Sequence, residues 1–238
     1  MLGSEIAKSG FQQEDIFVET FNKNKSLSNQ ILDILSMNDS SVATKISGKK
    51  HDVQISDIDN KRTINVQIKK YKGGGFNQVD KRWNFEWAPI LSSNAIQQLS
   101  FFTGEAYWPQ KLRVSTLNLN DEFKSEFKKK QRDIVRSSMF KLGVVDYFFC
   151  FNEFDMLTIF KADDLYNLII SEPAAFPENR TTITLGKYMT MQRKGGDGGE
   201  RTASMAQVKL KTGKAVNDLI NLNAAHQIDF KDFVCGLS

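Results

Sequence analysis

"HDVQISDIDNKRTINVQIKK", residues 51–70, is the stretch on which the reading of this chain turns. Two runs of alternating apolar residues flank the polar Asp59-Asn60, the pattern of an antiparallel hairpin. Side chains alternate faces along a strand. Val53, Ile55, Ile64, Val66 and Ile68 therefore point into a core, and Asp52, Gln54, Asn65, Gln67 and Lys69 share the opposite face. With a two-residue turn at Asp59-Asn60, positions whose numbers sum to 119 lie opposite each other. Asp52 then sits across from Gln67, with Cβ atoms roughly 4.5–5.5 Å apart, and Lys69 follows on the same face. Asp57 falls on the core face and Asp59 in the turn, which selects one acid of three.

On most hairpins such a polar face is simply solvated. An acid, an amide and an amine in this arrangement would also suit phosphodiester hydrolysis. That reaction needs a hard cation on the phosphate, an activated water and positive charge for the crowded transition state. Asp52 can hold Mg²⁺, which prefers oxygen ligands and keeps several waters. The amide oxygen of Gln67 and the backbone carbonyl of Ile68 can join it, and Lys69 can orient the attacking water. A neutral amide is a weaker ligand than a carboxylate, so a second acid is expected, and Glu14 on the first helix is the candidate.

The 238 residues suffice for a full core, and 40% hydrophobic with 25% charged residues is an ordinary globular balance. No apolar run approaches the ~18–20 residues that cross a bilayer. The opening "MLGSEIAKSG" has no long apolar stretch, so neither a signal peptide nor a membrane partner is expected. Cys150 and Cys235 lie outside any C-x-x-C pattern, which points to a reduced, cytoplasmic setting. With His51 and His226 as the only histidines, a structural zinc site of Cys and His has no ligand set. Net charge is only +4, yet residues 187–214 carry seven Lys or Arg against Asp197 and Glu200, a local +5 that a polyanion would feel.

Periodicity predicts helices over "EDIFVETF" after a break at Gly10, over "SLSNQILDILSM" capped by Ser26 or Ser28, and over "SSNAIQQLSFF" ending near Gly104. It predicts one long helix over "DEFKSEFKKKQRDIVRSSMF", with Lys124, Lys128, Arg132 and Arg136 as a basic stripe among neighbouring acids. "VVDYFFCF" and "MLTIF" read as buried strands, "KADDLYNLII" and "KAVNDLINLN" as helices. "TTITLGKYMTMQRKGGDGGERTASMAQVKL" reads as strands broken by a long glycine loop. A mixed α/β chain follows, with a lobe boundary near residues 105–120.

Asp52, fourteen intervening residues and then Gln67-Ile68-Lys69 resemble the active-site motif of the PD-(D/E)XK nuclease superfamily. "KSGFQQEDIFVETFN", "KISGKKHDVQI", "GFNQVDKRW" and "QRKGGDGGERTASMAQVK" together resemble one branch, small type II restriction endonucleases that cut G-C-G-C as monomers. Two positions depart from the superfamily pattern: His51 stands where proline is usual and Gln67 where an acid is usual. The resemblance implies a central mixed β-sheet flanked by helices, with a catalytic region over residues 1–110 and a DNA-recognition region over 111–238 around one cleft, whether or not these count as separate domains. It implies Asp52, Gln67 and Lys69 as the catalytic set, with Asp52, Gln67, Ile68 and Glu14 toward Mg²⁺. Double-stranded DNA is the implied partner, and a cognate DNA methyltransferase is implied genetically. A repair or mobile-element nuclease with little sequence preference, or a DNA-binding module without catalysis, are the rival readings.

Two loops carry residues suited to reading duplex. In "GGGFNQVD", Phe76 would either wedge between base steps from the minor groove or fold back as a core plug, and Gln78 would touch an opened step. In "MQRKGGDGGERT", Gln192, Arg193, Lys194, Asp197 and Arg201 mix donors for guanine O6 and N7 with one acceptor for cytosine N4. Neither "GGDGG" nor "KTGK" fits a nucleotide-phosphate loop.

Overall fold

The computed structural model describes residues 3–49, 51–103, 114–140, 143–193 and 205–234. In chain order the elements are α1 (Gly3–Lys23), α2 (Lys25–Leu35), β1 (Val42–Lys45), β2 (Val53–Asp57), β3 (Arg62–Lys70) and β4 (Phe76–Trp83). Then come α3 (Ser93–Thr103), α4 (Asp121–Lys129), α5 (Gln131–Met139), β5 (Tyr147–Phe151), β6 (Met156–Lys161) and α6 (Ala162–Ile170). The last are β7 (Thr182–Gly186), β8 (Met189–Arg193), β9 (Met205–Lys211), α7 (Thr212–Asn221), β10 (Ala225–Asp229) and α8 (Lys231–Val234). No helix among the described residues is long and apolar enough to cross a membrane.

The chain forms two compact units. The first comprises Met1–Gly75, Phe140–Leu165 and Thr212–Ser238, and the second Phe76–Met139 and Tyr166–Lys211. The chain passes from one unit to the other four times.

The first unit is built on a mixed six-stranded sheet, order β1-β2-β3-β5-β6-β10, antiparallel except where β3 runs parallel to β5. Helices α1 and α2 cover one face. Phe17 and Phe21 of α1, with Leu27, Ile31 and Leu32 of α2, bury against Val53, Ile55, Val66, Phe149 and Phe151. The Phe17 ring meets Phe149 edge-on with centroids 5.3 Å apart. Strand β5 is buried on both faces, since on the other side Phe148 stacks on Phe160. Cys150 lies on that other side, and burial pushes its thiol up to about 12. The second unit holds an antiparallel four-stranded sheet, order β4-β9-β8-β7, with α3 and α5 packed on one face.

Several local expectations change. Helix α1 runs through Gly10, because one interior glycine costs only ~1 kcal/mol and α1 is 21 residues long. The cap of α2 is Asn24, whose Oδ1 accepts from Leu27 N–H at 3.1 Å, and Ser28 is buried inside the helix. The long helix after residue 120 divides at Lys130 into α4 and α5. Buried Gln131 donates from Nε2 to the carbonyls of Glu172 and Leu185 at 2.7 and 2.8 Å, which pins the start of α5. Within the basic stripe, Lys124 turns to Asp121 at 3.8 Å. "FNQVDKRW" is the strand β4 and not part of a loop, with the preceding residues 72–75 alone forming the glycine turn.

Candidate functional site

The hairpin pairs Val53 with Val66, Gln54 with Asn65 and Ile55 with Ile64, the register in which numbers sum to 119. The connection is longer than a two-residue turn. Strand pairing stops at Asp57–Arg62, and residues 58–61 form a four-residue loop centred on the same point, so the register is unchanged. Buried Asp57 shapes that loop by accepting from the N–H groups of Asp59 and Asn60 and from Asn60 Nδ2. The apolar set is buried throughout, at 4% exposure or less for Val53, Ile55, Ile64, Val66 and Ile68.

Beyond the last paired residue, Asp52 N–H still donates to Val66 O at 2.8 Å. Its carboxylate then bends toward β3: Oδ2 accepts from Ile68 N–H at 2.8 Å and lies 3.5 Å from Lys69 Nζ. Ile68 thus contributes its N–H to Asp52. Asp52 and Lys69 are each about one-fifth exposed, so the pair is reachable by a ligand while partly shielded from water. Gln67 is buried on the same face of β3.

Glu14 joins this group from α1. Burial raises its pKa, and the negative charge of Asp52 raises it further, against the lowering effects of Lys45 and Lys69. Lys45 lies 3.4 Å from Glu14 and 2.8 Å from Asp15. Lys45 is a residue that the hairpin pattern does not single out. Only the pairing of β1 with β2, which sets Lys45 opposite Val53, brings it beside the acid.

Among the described residues no three Asp, Glu, His or Cys side chains gather in a way that could hold a metal. A cation beside Asp52 and Glu14 would rest on two carboxylates, neutral oxygens and water. That donor set is all oxygen and keeps coordination positions for water, which fits Mg²⁺. His51, just before Asp52, is 3% exposed with neither ring nitrogen hydrogen-bonded among the described residues. Burial lowers its pKa, aided by the charge of Lys49, so the neutral imidazole is favoured. Asp146, just before β5, is a further acid on this side of the sheet, and it accepts from Asn65 N–H at 2.8 Å.

The second unit carries part of the expected DNA-reading set. Phe76 is 46% exposed at the start of β4, with Lys211 Nζ 5.1 Å from its ring centre, so it is not a core plug. Gln78 is exposed two residues on and accepts from Gln207 Nε2. Gln192 and Arg193 end β8 and are half-buried. Lys194, Asp197 and Arg201 lie outside the described residues. No protein-family model and no curated protein matches this chain.

Proposed function

We propose that this chain is a Mg²⁺-dependent, sequence-specific deoxyribonuclease of the type II restriction kind, on a PD-(D/E)XK core, cutting duplex DNA at G-C-G-C. The observation that carries the reading is one convergence: Lys69 Nζ 3.5 Å from Asp52 Oδ2, with Glu14 close enough to feel the charge of Asp52. In this reading Asp52 and Glu14 hold the cation, helped by the oxygens of Gln67 and Ile68. Mg²⁺ supplies a Lewis acid for the scissile phosphate and a more acidic water.

The residues' own roles follow from their chemistry. The Lys69 ammonium donates to the attacking water and to the phosphoryl oxygens as negative charge grows there. Its position is held by the Asp52 carboxylate, which the Ile68 N–H orients in turn. Glu14 must lose its proton before it can take a cation, and its raised pKa places that loss above the ordinary glutamate range. Phe76 and Gln78 meet the duplex from the minor groove, a role their exposure supports. Gln192, Arg193, Lys194, Asp197 and Arg201 read base edges.

A monomer with one such site cuts the strands in turn. Supercoiled plasmid incubated with the protein and Mg²⁺ should give nicked circles first, then linear DNA, then discrete bands whose ends map to one tetranucleotide. A smear of fragments would assign a nuclease without a fixed site. No Mg²⁺-dependent cutting at all would overturn the enzyme reading and leave a DNA-binding module. A cytoplasmic location and a partner methyltransferase acting on the same sequence belong to this proposal.

A further inference from the structure

The four-stranded sheet has two unlike faces. On one, Met189, Met191, Ala206, Val208 and Leu210 are buried on the side of α3 and α5. On the other, the register sets Phe76 opposite Lys211, Gln78 opposite Lys209 and Lys81 opposite Gln207. Strand β8 continues that face with Thr190 opposite Lys209 and Gln192 opposite Gln207. Among the described residues of these four strands the one acid is Asp80. The irregular register between Gln78 and Asp80 turns it to the buried side, where Arg82 pairs with it at 2.6 Å. The open face therefore carries three ammonium groups set among amides and hydroxyls, with no carboxylate from these strands. Lys209 and Lys211 stand on the same side of one strand, roughly 7 Å apart along it.

We propose that this face follows the phosphate backbone of duplex DNA, with Lys81, Lys209 and Lys211 each closing on a phosphate. The partner rests on the nuclease reading, in which Phe76, Gln78 and Gln192 of this face already meet the duplex, but Lys81, Lys209 and Lys211 belong to neither its catalytic nor its base-reading set. Charge complementarity selects a polyanion. The placement of the aromatics selects a duplex over a single strand. A single-strand binder stacks successive bases on aromatic planes, whereas here Phe76 and Trp83 stand at opposite ends of β4 with lysine and amide groups between them.

Each phosphate neutralised contributes about 0.9 to the slope of log affinity against log salt. The test is binding of a G-C-G-C duplex of about 20 base pairs, followed by fluorescence anisotropy without divalent metal over a series of KCl concentrations. Lys81→Gln/Lys209→Gln/Lys211→Gln should flatten the slope by about 2 to 3, with a weaker affinity at moderate salt. Lys23→Gln, whose ammonium is already paired with Glu19, should leave the slope unchanged. Far-UV circular dichroism confirms folding. If the triple variant is unfolded, each single variant should flatten the slope by about 0.9. An unchanged slope in folded variants overturns the proposal, as does tighter binding to single strands or RNA than to duplex DNA. If the unaltered protein neither binds duplex nor cuts with Mg²⁺, the nuclease reading itself falls.

Discussion

Asp52 Oδ2 receives the Ile68 N–H at 2.8 Å and stands 3.5 Å from Lys69 Nζ, so one carboxylate oxygen ties together two consecutive residues of β3. The backbone bond fixes the carboxylate, and the carboxylate then fixes where the ammonium can rest.

Removing that ammonium should stop chemistry without unfolding the chain. Lys69→Ala is expected to lower the plasmid cutting rate by about 10²–10³-fold or more, the scale of losing one preorganised transition-state donor. Duplex binding measured without metal should persist within a few-fold. A variant that still cuts at near the original rate would remove Lys69 from the mechanism.

The pH profile should carry the mark of Glu14. Its pKa is raised by burial and by Asp52, so the folded protein holds that proton more tightly than the unfolded chain does. The associated stabilisation is present below the unfolded-state pKa and is lost as pH rises through the folded-state value. Mg²⁺ binding and cutting should therefore switch on as pH rises past the ordinary glutamate range. Glu14→Gln should remove that acid limb and lower activity, while stability at pH 8 stays equal or rises by about 1 kcal/mol. Titration of Mg²⁺ binding by calorimetry at several pH values, with thermal melts of both proteins, reads each part.

A stability test lies in the second unit. Arg82 and Asp80 form a buried pair, each about 5% exposed or less, and Arg82 also donates to Ser137 O at 2.6 Å and lies 4.0 Å over the Trp87 ring. Asp80→Ala leaves that guanidinium buried without its carboxylate and should cost about 3–5 kcal/mol in urea unfolding. A loss under 1 kcal/mol would mean that solvent reaches Arg82.

The glycine of "KTGK" has a steric role. A Cβ on Gly213 would come within 2.2 Å of Gly73 O, with Tyr71 Cδ2 at 3.1 Å. Gly213→Ala must push back the backbone of the 72–75 turn and should destabilise by about 1–3 kcal/mol, the range for forced overpacking. Gly48→Ala is the control for space, since nothing lies near its Cβ position, although its φ of +76° adds its own strain.

Much of the candidate site is legible in residues 51–70 because a hairpin is a local object. Alternation sorts Val53, Ile55, Ile64, Val66 and Ile68 from their polar neighbours, and the sum of 119 sets Gln54 against Asn65. The register survives the longer loop because 58–61 adds residues evenly on both sides. Glu14 was reachable by asking where a second acid could come from. Lys45 was not, since its place beside Glu14 needs the pairing of β1 with β2 across an irregular connection.

What the sequence by itself determined is whatever depends on neighbours within one element or one turn: which side chains of the hairpin are buried, and which acid of three approaches the amine of Lys69. Only the tertiary structure decided that "FNQVDKRW" is a strand, because its partner, β9, lies 122 (Trp83–Met205) to 135 (Phe76–Lys211) positions further along the chain. The same holds for the break at Lys130, made by carbonyls of residues 172 and 185, and for the division into two units between which the chain passes four times. Contacts of that range leave no periodicity in the strand itself, since hydrogen bonds between distant backbones are indifferent to most side chains, and only the folded chain brings the partners together.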